Sequence, residues 1–179
     1  MELRPADKLI ILMLTEIYDH LKVQGETDTA FLRNAIFGGH NWALDWQLPG
    51  ITQTVTTPET VVRRTVDLLD MYDMLERSFE ALPTEGRTGI EDWAIQFRGF
   101  DGNNESDHMS VARFLVEQMD RFTRFAGRDF NSHAPVLEIA ERMYAVYEPL
   151  RPSLGTRGTP RLTADELRSI SAAATGREA

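Results

Sequence analysis

Residues 57–83, TPETVVRRTVDLLDMYDMLERSFEALP, carry the pattern on which the fold reading turns. Thr57 is an N-cap candidate, and Pro58 suits the first helical position, where its missing N–H would have no partner anyway. Glu59 suits the positive end of the helix dipole. Val62, Val66, Leu69, Leu75 and Phe79 then fall on one face, with Tyr72 close beside it. Asp67, Asp70, Asp73, Glu76 and Glu80 mark much of the other face. Pro83 closes the pattern. The spacing predicts one long amphipathic helix, buried on its apolar side and solvated on its acidic side.

Helices are expected on both sides of it. From Ala6 to Lys22, Leu9, Met13, Ile17 and Leu21 recur every four residues, and Ile10, Leu14 and Tyr18 widen the stripe. Ile11 and Leu12 make the first half of this helix apolar almost all round, which predicts a central helix or one covered by a partner subunit. Gly25 ends it, and Thr27 is placed to cap a second helix that runs to Phe37 before Gly38-Gly39. His40 to Gln47 reads as a short helix with Trp42 and Trp46 one turn apart, and the Thr-rich tract from Leu48 to Thr57 is too short to suggest a sheet. After Pro83, a short helix is expected over Ile90 to Ala94, then a turn from Ile95 to Gly102. A longer helix should span Glu105 to Phe122, with Val111, Phe114, Leu115, Met119 and Phe122 inward. Pro135 to Tyr147 should be helical and stop at Pro149 and Pro152. Thr163 and Glu166 form a capping box that opens a terminal helix through Ala173.

Composition narrows the function classes. The 179 residues suit one domain with a real core, and the 42% apolar and 26% charged content is that of a globular chain. The organisation expected is a single all-α, multihelical, orthogonal or bundle-like domain over residues 1–173, with a short flexible tail at 174–179. Gly155 to Pro160 is linker-like but too short to separate domains. With 0 cysteines the chain has no disulfide, no thiolate nucleophile and no sulfur-ligated zinc, which is compatible with a cytoplasmic location. The longest apolar run, Leu9 to Leu14, is far short of the roughly 20 residues that span a bilayer. No small-residue cleavage site follows it, so neither membrane insertion nor secretion is expected. A net charge of −9 opposes nonspecific nucleic-acid binding, despite a mildly basic end at Arg151, Arg157, Arg161, Arg168 and Arg177. The chain holds no GxGxxG, Walker loop, HExxH, GxSxG or HD dyad.

An ordered set of motifs brings a family into view. Phe97-x-Gly99-Phe100-Asp101, Val111-x-Arg113-Phe114, Arg121-Phe122-x-x-Phe125, Phe130-Asn131-x-x-x-Pro135, Arg142-Met143 and Leu162 to Glu166 follow one another in spacing as in the YfbU-like bacterial proteins. Glu59 to Leu75 is similar too, so the resemblance covers about residues 59–75 and 97–167. It implies an all-helical fold. Family members fused to a DNA-binding helix-turn-helix imply a ligand-sensing role, and the resemblance supplies no catalytic residues and no cofactor.

The region from Gly99 to Pro135 concentrates the candidate site residues. Arg121, Arg124 and Arg128 lie near Phe122, Phe125 and Phe130, followed by Asn131 and His133. Guanidinium groups beside aromatic rings can hold a carboxylate, a phosphate or a base. They can equally pair with acids while the rings fill the core, and Arg113 and Arg142 pose the same choice. Asp101, on a turn between glycines, reads as a helix cap or as an acid for chemistry. The ligand-binding set is therefore Asp101, Arg121, Arg124, Asn131, His133 and Arg142, with no catalytic residue assigned. Glu105-x-x-His108 has the spacing of a di-iron ligand pair but occurs once, so no metal site is expected. Asp70, Asp73 and Glu76 read as a solvated acidic face, and Trp42 and Trp46 as core. The function expected is a non-enzymatic module that self-associates into a homo-oligomer and binds a small ligand or a protein partner. The alternative is a metal-dependent phosphoester or nucleic-acid hydrolase using Asp101 and nearby carboxylates.

Overall fold

The computed structural model describes residues 2–52, 56–154, 156 and 161–176. Its elements are α1 (Pro5–His20), α2 (Thr29–Phe37), α3 (Asn41–Gln47), α4 (Pro49–Thr52), α5 (Glu59–Glu80), α6 (Asp92–Ile95), α7 (Ser106–Glu117), α8 (Leu137–Tyr147), α9 (Arg151–Leu154) and α10 (Ala164–Ala174). Short 3₁₀ turns occupy Thr84–Arg87, Thr123–Phe125 and Glu148–Leu150. Among the described residues there is no sheet, and Phe100 and Asn131 form an isolated parallel bridge. The all-α, multihelical expectation holds. The linker-like stretch from Gly155 to Pro160 (apart from Thr156) and residues 177–179 of the tail lie outside the described residues, as does much of the Thr-rich tract.

The chain divides into two compact units, Met1–Thr56 and Thr57–Ala179. In the first, α1 packs on α2, and α3 on α2 and α4. The core is small: Ala35, Ile36 and Leu44 are buried, with Leu3, Ile11, Leu12, Phe31 and Leu32 packed around them. Asp28, not Thr27, caps α2 by accepting the Phe31 amide at 2.8 Å. The face of α1 that turns inward is the narrow one with Ile11, Leu12 and Thr15, whose hydroxyl donates to Leu12 O at 2.7 Å. Leu9, Ile10, Met13, Leu14, Ile17 and Leu21 remain 52–66% exposed. Trp42 and Trp46 are also exposed, their rings 5.4 Å apart, against the expectation of core packing. Leu44 takes the inward position of the short α3, and residues two places to either side point about 200° away from it.

In the second unit α5 is the common surface, packed against α6, α7, α8 and α10. Leu68, Leu69, Met71, Tyr72 and Leu75 are buried along it. Pro58 takes the capping position, one residue earlier in the helix register than the sequence suggests. α7 ends at Glu117, short of Phe122, because Asp120 and Phe122 adopt left-handed backbone at φ 52° and 51° and reverse the chain. Met119, expected inward, lies beyond the helix and is exposed; Phe114, also expected inward, is exposed because Ala112, Leu115 and Val116 make the buried face of α7. Pro149 and Pro152 do not stop the chain's helical course. Each sits in the first turn of a new short segment, where a missing N–H costs nothing. The capping box of α10 is present: Thr163 N donates to Glu166 at 2.7 Å, and Glu166 N to Thr163 Oγ1 at 3.3 Å.

Gly99 fixes how two distant loops meet. The Phe100 amide donates to Phe130 O at 2.9 Å, and the Ser132 amide to Phe100 O at 3.1 Å. Gly99 has φ +88°, and a Cβ there would lie 2.2 Å from Phe130 O. Both the backbone and the space exclude any side chain. Gly99→Ala is therefore expected to cost about 3 kcal/mol or more, read as a lower urea midpoint.

Candidate functional site

Three phenylalanines of the Gly99–Pro135 region, Phe100, Phe125 and Phe130, pack with Phe97 in the core, while Phe114 is exposed. Phe97, Phe100, Phe125 and Phe130 are buried, with the other three ring centroids 4.9–6.2 Å from that of Phe97. Tyr72 of α5 closes the group at 5.5 Å. Edge and tilted contacts of this kind are worth more than the area they bury.

Around that cluster the polar side chains are bonded to the chain itself. Asp101 accepts the Asn103 amide at 3.0 Å and the Asn104 side-chain amide, so it forms a turn within the loop and does not cap α7. The Asn103 amide, and then Asn104, hold its carboxyl below the usual carboxylate range. Asn131 Oδ1 accepts the Gly102 and His133 amides at 3.1 and 2.9 Å. Arg124 joins Asp73 at 3.2 Å and Glu80 at 2.8 Å. Arg142 donates to Ala173 O and Ala174 O at 3.2 and 3.1 Å and so closes the last turn of α10. Arg121 is exposed, its guanidinium 5.9 Å from the Phe122 ring, and exposed His133 lies 3.7 Å from Asp129. Asp101 and Asn131 are thus neighbours through Gly102. Arg124 and Arg142 are engaged elsewhere, each in its own contacts.

Two carboxylates, Glu76 and Glu105, carry more of the structure. Glu76, only 5% exposed, accepts both terminal nitrogens of Arg128 at 2.6 and 2.7 Å and the Phe97 amide at 3.0 Å. Glu105 is also buried. It accepts the Asp101 amide at 2.9 Å with one oxygen, and the Val136 and Leu137 amides at 2.9 and 2.7 Å with the other. It therefore caps α8 from 31 residues away. The metal-like spacing of Glu105 and His108 is occupied by this structural work. The acidic face of α5 is likewise not simply solvated: Arg151 bridges Asp67 and Asp70 at 3.1 and 3.2 Å and donates to Tyr144 at 2.9 Å.

Two open clefts border this framework. One of about 420 Å³ is lined by Phe79, Arg87, Gln96 and the Glu76–Arg128 pair. Another of about 570 Å³ is lined by Asp73, Arg77, Phe122, Thr123 and Arg124. Of the six sequence candidates, Arg124 lines the second cleft.

His108 is the one imidazole held between helices of this unit. Its Nδ1 lies 2.8 Å from Thr65 Oγ1, whose own proton goes to Val61 O at 2.8 Å. Nδ1 must then be the donor, which leaves Nε2 unprotonated. Burial pushes the imidazole pKa down, against the opposing pull of Glu105 and Asp107, while Arg64 adds to the lowering. A folded pKa below the unfolded value of about 6.5 means that the unfolded chain takes up the proton first. The stabilising difference is complete above about pH 6.5 and is lost as pH falls toward the folded value. From about pH 7.5 to about pH 5.5, the melting temperature should fall less in His108→Gln than in the unaltered chain.

Together these features define an all-helical domain whose buried acids tie distant segments to one long helix. The chain belongs to the YfbU family: a family model described as YfbU domain matches residues 1–173. That match takes in the first 56 residues, which the motif pattern alone had not joined to the family. The chain is also similar to the UPF0304 protein of Methanocaldococcus jannaschii, at 30% identity over 96 residues. The aligned stretch is 51% of this chain and 57% of that relative, so it spans about half the length of each.

Proposed function

We propose that the chain is a non-enzymatic interaction module that self-associates. The observation that carries this reading is the outer face of α1, where Leu9, Ile10, Met13, Leu14, Ile17 and Leu21 stay 52–66% exposed. Scattered apolar residues on a surface need no explanation, but six on one face of one helix form a patch of the kind that marks an interface. Among the described residues no helix is long and apolar enough to cross a membrane, so a bilayer core is a poor destination for this face. The binding of a small ligand or a protein partner is the further part of the reading, and the cleft beside Arg124 is its best-supported place. The hydrolase alternative draws no comparable support, since both Asp101 oxygens already accept hydrogen bonds from Asn103 and Asn104.

Light scattering behind gel filtration tests the self-association. At micromolar concentration the chain should elute at a multiple of 20.3 kDa. Ile17→Asp should raise the dissociation constant at least about a hundredfold, because a carboxylate in an apolar seam costs more than about 2.7 kcal/mol. Its circular dichroism should be unchanged, as Ile17 is exposed in the single chain. A chain that runs at 20.3 kDa at about 100 μM would contradict the reading.

A further inference from the structure

The spacing on the outer face of α1 is more specific than a patch. Ile10, Leu14, Ile17 and Leu21 stand four, three and four residues apart, the a/d spacing of a helix that pairs with another helix. Leu9 and Met13 widen the seam, and all six fall within an arc of about 140°. The opposite side of α1 is already used by Ile11 and Leu12 within the first unit.

We propose that two copies of the chain pair antiparallel through α1, with a two-fold axis passing between Leu14 and Ile17. This rests on the self-association reading and names its geometry. Ile10 of one copy then meets Leu21 of the other, and Leu14 meets Ile17. Both layers contain one isoleucine and one leucine, so the stripe is complementary to itself about that axis, as a two-fold interface requires. A parallel pair would instead set Ile on Ile and Leu on Leu and align the two helix dipoles, which the antiparallel pair opposes.

The size and charge of the face favour a second copy as the occupant. Each of the six side chains leaves on the order of 100 Å² open, so pairing removes roughly 1,200 Å² in all, the lower end of the range for a specific interface. An anionic lipid surface fits poorly, because residues 1–56 hold seven acidic residues against four basic ones.

The chain has 0 cysteines, which makes single-cysteine variants clean reporters. Full-length Ile10→Cys and Leu21→Cys would be oxidised separately and as an equimolar mixture, then resolved on a non-reducing gel. The mixture should give at least tenfold more disulfide-linked dimer than either variant alone, since two copies of either position lie about 16 Å apart along the paired helices. Strong self-crosslinking of each variant alone would overturn the antiparallel geometry. No crosslink in any sample, with light scattering still reporting a dimer, would overturn α1 as the interface while leaving self-association standing. A monomer by light scattering would overturn both.

Discussion

The second unit depends on a carboxylate that sits where an apolar side chain would be expected. Glu76 of α5 is buried, and its burial is tolerated because Arg128 meets it with two nitrogens and the Phe97 amide takes a share of one oxygen. That one group fixes three things at once. It sets the start of the 97–102 turn, the loop that carries Arg128, and the face of α5 on which Phe97 and Phe125 stack. Arg124 and Arg151 repeat the device on Asp73, Glu80, Asp67 and Asp70, so arginines 44 to 84 residues distant are drawn back to a single helix. Glu105 performs the complementary task with backbone amides, holding the start of α8 to the entry of α7.

This arrangement explains which parts of the fold were legible in the sequence. The positions of most helices and the Thr163–Glu166 box of α10 are local and therefore readable, whereas the caps of α2 and α5 each fall one residue after the expected Thr27 and Thr57. The polar framework is not readable, because its partners are set by tertiary packing. Glu76 falls in sequence among the solvated acids, yet it lies one turn after Tyr72 and three residues before Phe79, on the edge of the apolar face. That position was the available signal. Met119 is exposed because two left-handed residues turn the chain soon after α7 ends, while Phe114, inside α7, points about 200° away from the buried Ala112 and Val116. The six candidate ligand residues were chosen for their chemistry, and most of that chemistry is spent within the protein: Asp101 and Asn131 on backbone amides, Arg124 on acids, Arg142 on the carbonyls of α10.

The first unit follows a different logic. Its core is a few side chains deep, and more large apolar residues of α1 face outward than inward. The reading of α1 as a helix that is central or covered by a partner subunit left two outcomes open. The exposed Ile10, Leu14, Ile17 and Leu21 favour the second. If α1 pairs as proposed, stability and association are divided between the units. Paired acids and aromatic packing hold residues from Thr57 onward, while the apolar surface available for contact is concentrated before Thr56.

The Glu76–Arg128 pair acts as a structural tie between α5 and the loop after α7. A double-mutant cycle with Glu76→Ala and Arg128→Ala, followed by urea unfolding, measures it directly. Each single change is expected to destabilise the chain, and the two to be coupled by about 2 kcal/mol, since removing either partner strands the other. Single changes that each cost less than about 0.5 kcal/mol and add without coupling would contradict it.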